Sequence, residues 1–288
     1  MLFRSDVAEI VRWLPKATVL RGVPTFYTRL LAHPAFTRET CSAMRLFVSG
    51  SAPLLAETFE DFEARTGHRI LERYGMSETG MNCSNPLEGE RRPGTVGPPL
   101  PGVDVRLRDR EGNPVAPGAI GTIEVRGPNV FKGYWEMPEK TASEFRADGF
   151  FITGDLGTID SDGYVTIVGR DKDMIISGGL NVYPKEIEDV LNALPGVLES
   201  AVIGVPHPDF GEAVVAIIVA QKDAIRDETA VVATLAKDLA KFKVPKRVFY
   251  VDELPRNTMG KVQKNVLREH HRTLFAPPTA SARRAQPV

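Results

Sequence analysis

The sequence holds only two cysteines, Cys41 and Cys83, far apart and in no CxxC arrangement, which excludes a disulfide framework and a cysteine-built metal site. It also lacks a surplus of charge of either sign. Its 36 Lys and Arg stand against 37 Asp and Glu, so no net field draws the chain to nucleic acid or to an anionic membrane. Any anionic ligand must be held by local groups. Long apolar runs are missing as well: the opening stretch MLFRSDVAEIVRWLP is broken by Arg4, Asp6, Glu9 and Arg12, leaving neither a signal-peptide core nor a membrane span. The expectation is a soluble, cytoplasmic protein. No internal repeat organises it.

What is present is ordinary globular material, with enough length for roughly two domains. Residues 1–93 alternate helical and strand signals: Val7 to Leu14 is amphipathic, Ala17 to Val23 is short and apolar, and Arg45 to Val48 runs into Gly50. That pattern predicts α/β layering. Over 94–171 it gives way to short β-rich runs such as VDVRLRD, GTIEVRG and GYVTIVGR, separated by EGN, APG and DSDG turns. A small, mostly antiparallel sheet or barrel is expected there. Over 172–275, apolar runs (MIIS, ESAVIGV, AVVAIIV, RVFYV) alternate with helical segments near 184–194 and 228–241, as in a smaller α+β domain. The tail 276–288 has no core-forming residues and is expected to be disordered.

Five segments carry chemistry, in this order: GSAPL (50–54), RYGMSETG (73–80), TGD (153–155), GRDKDMIISGGLNVYPKEIE (169–188) and PRNTMGK (255–261). In the second, Glu78 stands between Ser77 and Thr79; one carboxylate beside short hydroxyls suits Mg²⁺, which keeps most of its ligand positions for water and phosphate. Read singly, each segment has a plainer meaning: a loop glutamate, a strand-to-helix turn, a turn aspartate, a hairpin turn, a solvated lysine.

Together and in this order, the five segments resemble the adenylate-forming superfamily of acyl-CoA synthetases, peptide-synthetase adenylation domains and luciferases. The resemblance runs from about residue 6 to 270. It implies the carboxyl-terminal part of the large adenylate-forming domain, α/β layers plus a small β-barrel, followed by a mobile α+β domain. ATP, Mg²⁺ and coenzyme A are the implied cofactors and substrates. On that resemblance Glu78 binds Mg²⁺, Ser77 meets the α-phosphate, and Thr79 and Gly75 belong to the same nucleotide segment, with Tyr74 against the adenine. Gly50, Ser51, Ala52 and Pro53 line the adenine and acyl pocket, while Asp155 and Arg170 hold the ribose. Lys172 is the hinge, where the family often has aspartate. Gly178 and Gly179 form the wall along which a pantetheine arm passes, and Lys261 meets charge developing during adenylation.

The family's Ser/Thr/Gly-rich phosphate loop has no counterpart here, neither TSGTTG-like nor GxxxxGK[ST]. The expectation is therefore a truncated product, an alternative start or a gene fragment lacking about the first 200 or more residues. Within the family, GVPTFYTRL (22–30), SGSAPL, ERYGMSETGMNCSNP and PRNTMGKVQKN are similar to malonyl-CoA synthetases. That likeness implies malonate as the acid, its second carboxylate held by Arg29, Arg73 and Ser51. Two alternatives stay open: a monocarboxylate or fatty acyl-CoA ligase, and an inactive fragment that binds nucleotide or pairs with a separately encoded amino-terminal half.

Overall fold

The computed structural model describes residues 6–222, 224, 226–257 and 260–276. The expected tail from 277 onward, and Thr258 and Met259 of PRNTMGK, lie outside the described residues. The chain divides into two compact units, one ending at Asp171 and the other starting at Lys172. Among the described residues no helix is long and apolar enough to cross a membrane.

In the first unit, α1 (Val7–Trp13), α2 (Pro24–Leu31) and α3 (Ala56–Thr66) accompany strands β1 (Val19–Gly22), β2 (Leu46–Ser49) and β3 (Leu71–Met76), which run parallel in the order β1-β2-β3. Strand β4 (Gly80–Ser84) returns antiparallel to β3. Local chemistry starts the helices: the Asp6 carboxylate accepts from the Ala8 N–H at 2.9 Å, and Pro24 occupies the first turn of α2, where a missing N–H costs nothing. One face of the sheet packs Phe47 and Ile70 against Tyr27, Leu30, Phe59 and Phe62 of α2 and α3. The Phe47 and Phe62 rings meet edge-to-face at 4.9 Å, and burying each such ring contributes roughly 1.5–3 kcal/mol.

The β-rich region is a four-stranded antiparallel sheet in the order β5 (Asp104–Arg108), β6 (Gly121–Arg126), β7 (Phe151–Ile159) and β8 (Val165–Arg170). It is joined by α4 (Pro138–Glu144), which follows β6. Of the sheet-or-barrel expectation, the described residues take the open sheet, with β5 and β8 as its edges.

The second unit is built on a hairpin of two long strands, β11 (Val197–His207) and β12 (Gly211–Ala220). The short hairpin β9 (Ile175–Ser177) and β10 (Leu180–Val182) and the strand β13 (Arg247–Val251) share the other edge of β12. Helix α5 (Pro184–Asn192) and α6 (Glu228–Asp238) cover one face, where Val214, Ala216 and Ile218 meet Ile187, Leu191 and Leu235. On the other face Val215, Ile217 and Val219 meet Leu254 and Leu267, the latter from α7 (Lys264–His271). Burial of both faces is why AVVAIIV reads as a continuous apolar run without alternation.

Candidate active site

The parallel strands end in the segments that the sequence singles out. After β2 the chain turns through Gly50, Ser51, Ala52 and Pro53, and Ser51 sits in the left-handed region at φ 71°, uncommon for a residue with a side chain. The turn is anchored by the buried Glu72 of β3, whose carboxylate accepts from the Leu54 N–H at 2.9 Å. Ser51, Ala52 and Pro53 are themselves exposed.

Gly75 and Met76 end β3, and Ser77, Glu78 and Thr79 form the β3–β4 turn, closed by the Thr79 N–H donating to the Met76 carbonyl at 3.2 Å. Gly75 is sterically required: a Cβ there would lie 2.6 Å from Met81 Cε and 2.9 Å from the Gly80 carbonyl carbon, with the Gly80 oxygen nearer still. Ser77 is exposed at the tip, Glu78 half-buried and Thr79 buried. The Thr79 hydroxyl is buried without a hydrogen-bond partner among the described residues. Glu78 is gripped from the β6–α4 segment: its carbonyl accepts from the Phe131 N–H at 2.7 Å, and its Oε1 lies 3.3 Å from the Tyr134 hydroxyl. That hydroxyl also reaches Glu144 Oε2 at 2.9 Å. Burial, and then the two carboxylates, push the Tyr134 phenol up, so it stays a neutral donor.

Tyr74 leads toward the second sheet. Its hydroxyl donates to Asp155 Oδ2 at 2.6 Å, and Arg170 Nε pairs with Asp155 Oδ1 at 2.9 Å. Asp155 and Arg170 are direct neighbours across β7 and β8, and the Asp155 N–H donates to Thr153 Oγ1 at 3.1 Å. Burial first, and the adjoining Asp155 second, hold Tyr74 well above the usual phenol range. Tyr74, Asp155 and Arg170 are thus brought into one network, which can present a fixed carboxylate and a guanidinium to a polar ligand.

Arg73 is half-buried in β3. Its guanidinium is held below the ordinary range by burial and then by the charge of Arg21. Arg29 lies exposed in the last turn of α2, and the described contacts do not bring it to Arg73 or Ser51.

In the second unit, Lys172 sits in a single helical turn, Asp171–Asp173. Gly178 and Gly179, at φ 60° and 79°, are the two-residue turn of the β9–β10 hairpin, a geometry that matches strand twist and favours glycine at both positions. Lys261 is exposed, its N–H donating to Asn257 Oδ1 at 2.9 Å. Nearby Lys264 is engaged structurally, 2.6 Å from Glu188.

Known proteins bear on this arrangement. The family model described as AMP-binding enzyme matches residues 5–135, and that described as AMP-binding enzyme C-terminal domain matches residues 186–261. The chain belongs to the AMP-binding enzyme family. A malonate–CoA ligase of Arabidopsis thaliana is 44% identical over 271 residues, covering 88% of this chain and 44% of that protein. A long-chain-fatty-acid–CoA ligase of Yersinia pestis is 42% identical over 267 residues, covering 92% of this chain and 47% of that protein. Among solved structures, ATP-bound MatB from Rhodopseudomonas palustris is similar with a TM-score of 0.92 at 63% identity, covering 94% of this chain and 54% of that one. The chain spans about half the length of the curated relatives it matches.

Reasoning from motifs in this AMP-binding enzyme missed Tyr134, Glu144, Glu72 and Arg21. Tyr134 lies in an unremarkable GYW stretch and acquires its meaning only because folding sets its hydroxyl beside a carboxylate 56 residues away. Glu72 could have been suspected, since a glutamate inside an otherwise buried strand must find a donor.

Proposed function

We propose that this chain carries the carboxyl-terminal portion of an AMP-forming acid:CoA ligase, in which a malonate carboxylate attacks the α-phosphorus of ATP and displaces pyrophosphate to give malonyl-adenylate, and the thiol of coenzyme A then displaces AMP to give malonyl-CoA. The observation that carries the ligase reading is the β3–β4 turn: among the described residues its Glu78 carboxylate has no lysine or arginine on it, and the adjoining Thr79 hydroxyl is buried without a partner. Such a donor set fits Mg²⁺. Bound there, the ion would neutralise phosphate charge. Tyr134 and Phe131 hold Glu78 in place, Ser77 offers a hydroxyl toward the α-phosphate, and the Tyr74–Asp155–Arg170 network positions the nucleoside, Asp155 accepting from its ribose. Gly50 to Pro53 and Gly75 give backbone surface beside it.

The second unit supplies the mobile parts. Lys261 brings a flexible ammonium to the charge that develops during adenylation. Asp171 is tied to Arg110 of the first unit at 3.2 Å and Asp173 to Arg268 of the second at 2.9 Å, which leaves Lys172 as the residue between two anchored neighbours and supports its role as hinge. Gly178 and Gly179, with almost nothing within 4 Å of a Cβ at either, leave open backbone for the pantetheine arm.

Malonate is favoured because Arg73 sets a half-buried guanidinium at the end of the parallel strands, with Ser51 and Arg29 as further donors. The relatives include both a malonate–CoA ligase and a long-chain-fatty-acid–CoA ligase. Acyl-CoA formation by the complete enzyme, measured with malonate, methylmalonate and butyrate, tests the choice. The Arg29→Ala enzyme should lose roughly 2–4 kcal/mol of transition-state stabilisation for malonate with little change in KM for ATP. If it keeps a preference for malonate over butyrate, the arginine clamp is wrong.

A further inference from the structure

In the second unit, β11 sets Glu199 opposite Val219 of β12, and Ala201, two places on, opposite Ile217. Paired residues of neighbouring strands project to one face, and every second residue along a strand returns to it, so Glu199 lies at the margin of the face that packs Ala201, Ile217 and Val219. Leu254, Val262 and Leu267 dock on that same face, which anchors the chain on either side of Lys261. Arg256 and Val262 also form an isolated antiparallel bridge. From this frame the half-buried Arg256 guanidinium uses two arms: Nη2 pairs with the Glu199 carboxylate, and Nη1 donates to the Gly260 carbonyl at 2.7 Å.

The Gly260 carbonyl and the Lys261 N–H belong to one peptide unit, and both of its polar atoms are held, the oxygen by Arg256 Nη1 and the N–H by Asn257 Oδ1 at 2.9 Å. The next unit is held as well, because the Lys261 carbonyl accepts from the Asn257 N–H at 3.0 Å. Peptide units are planar, so fixing the two that flank a Cα fixes the direction in which its side chain leaves the backbone. That direction matters for an exposed lysine: its stem is flexible, and the region its ammonium can sweep depends on where the backbone launches it. Glu199 completes the device. A guanidinium bonded to a carbonyl alone can swing on its own stem, whereas a charge-assisted pair with a strand residue keeps it in place.

We propose that Arg256 and Glu199 are positioning residues for acyl-adenylate formation: their ion pair carries the rigidity of β11 to the peptide unit in front of Lys261 and so aims its ammonium. The assignment to adenylation rests on the role of Lys261 given above; the anchoring of the peptide unit does not.

Two measurements test the anchor and its consequence separately. Amide hydrogen exchange of the purified chain reads the anchor: Arg256→Met should speed exchange of the Lys261 N–H by about 10-fold or more, while the amides of Ile217 and Val219 in β12 keep their protection. Rapid-quench assays of the complete enzyme read the consequence. Arg256→Met should slow acyl-adenylate formation about 10–100-fold, with KM for ATP and the conversion of supplied acyl-adenylate to thioester each within about twofold of the parent. Glu199→Gln keeps the shape of the side chain while removing its charge, and should slow the same half-reaction about 3–10-fold. Arg256→Lys puts one point charge where two arms are needed and should not restore the rate. Lys185→Met, which removes an ion pair with Asp189 on α5 of the same unit, should leave both half-reactions unchanged. An arginine that served folding alone would lower the two half-reactions together. The proposal is overturned if Arg256→Met and Glu199→Gln leave the Lys261 amide as protected as in the parent, if they slow both half-reactions equally, or if Arg256→Lys restores the parent rate. Lys261→Ala, assayed alongside, separates this proposal from the reading beneath it. Should Lys261→Ala spare adenylation, the role of Lys261 falls and the anchor read by exchange stands; should Lys261→Ala abolish adenylation while Arg256→Met and Glu199→Gln spare it, the role of Lys261 stands and the positioning role falls.

Discussion

Replacing Gly75 by alanine is the sharpest test of how the β3–β4 turn is held. The added Cβ would meet the backbone of Gly80 and the methyl of Met81 at distances that real Cβ atoms do not reach, and the obstructing atoms belong to the partner strand. β4 must retreat, opening the rungs Gly75 with Met81 and Met76 with Gly80. Two backbone hydrogen bonds at about 1 kcal/mol net each, together with about 1–3 kcal/mol for overpacking, put the cost at roughly 3–5 kcal/mol. Gly80→Ala is the natural control, because nothing lies within 4 Å of its Cβ and only its φ of 60° resists, worth about 1–2 kcal/mol. Both tryptophans, Trp13 and Trp135, lie in the first unit, so urea unfolding followed by their fluorescence reports on that unit. A Gly75→Ala chain no less stable than Gly80→Ala would refute the steric argument. Since the retreat also moves Glu78 away from Tyr134, the complete enzyme carrying Gly75→Ala should need more Mg²⁺ than the parent.

Three further outcomes are expected. Tyr74→Phe leaves the buried Oδ2 of Asp155 without its donor and should cost about 1.5–3 kcal/mol, read as a melting temperature lowered by about 4–10 °C in a scan of the chain; an unchanged value would mean that Asp155 is satisfied otherwise. Burial pushes Cys83 up to about 12 and Cys41 to about 11 from an ordinary value of 9.0, so the folded chain keeps protons that the unfolded chain releases. Stability should accordingly be intact below pH of about 9 and fall above it by up to about 1.4 kcal/mol per pH unit per thiol, and equal urea midpoints at pH 8 and 10 would contradict this. In the complete enzyme, Lys261→Ala should abolish acyl-adenylate formation yet still convert supplied acyl-adenylate to thioester, whereas Lys172→Pro should do the reverse; rapid-quench assays of each half-reaction in which both variants fail equally would rule out alternation of the small unit.

Much of this molecule could be read before it was folded. Apolar patterning marked α1, which buries one face, and the strand before Gly50, a short apolar run buried on both faces. Ordered motifs brought Tyr74, Glu78, Asp155 and Arg170 into consideration, since each motif is local and needs only its immediate neighbours to be recognised. The glycines at 178 and 179 were legible as a turn for the same reason.

Other features exist only in three dimensions. That the Tyr74 hydroxyl ends on Asp155, 81 residues away, depends on how the parallel sheet meets the antiparallel one. The grip of Tyr134 on Glu78 depends on the β6–α4 segment folding back over a hairpin tip, and no spacing in the chain encodes that distance. Arg21 belongs to no motif, and only strand register places it on the face of Arg73. Composition and periodicity determined which segments are strands and which residues are charged; which charges face each other was decided by register and sheet order, because a Coulomb interaction depends on separation in space and the sequence records only separation along the chain.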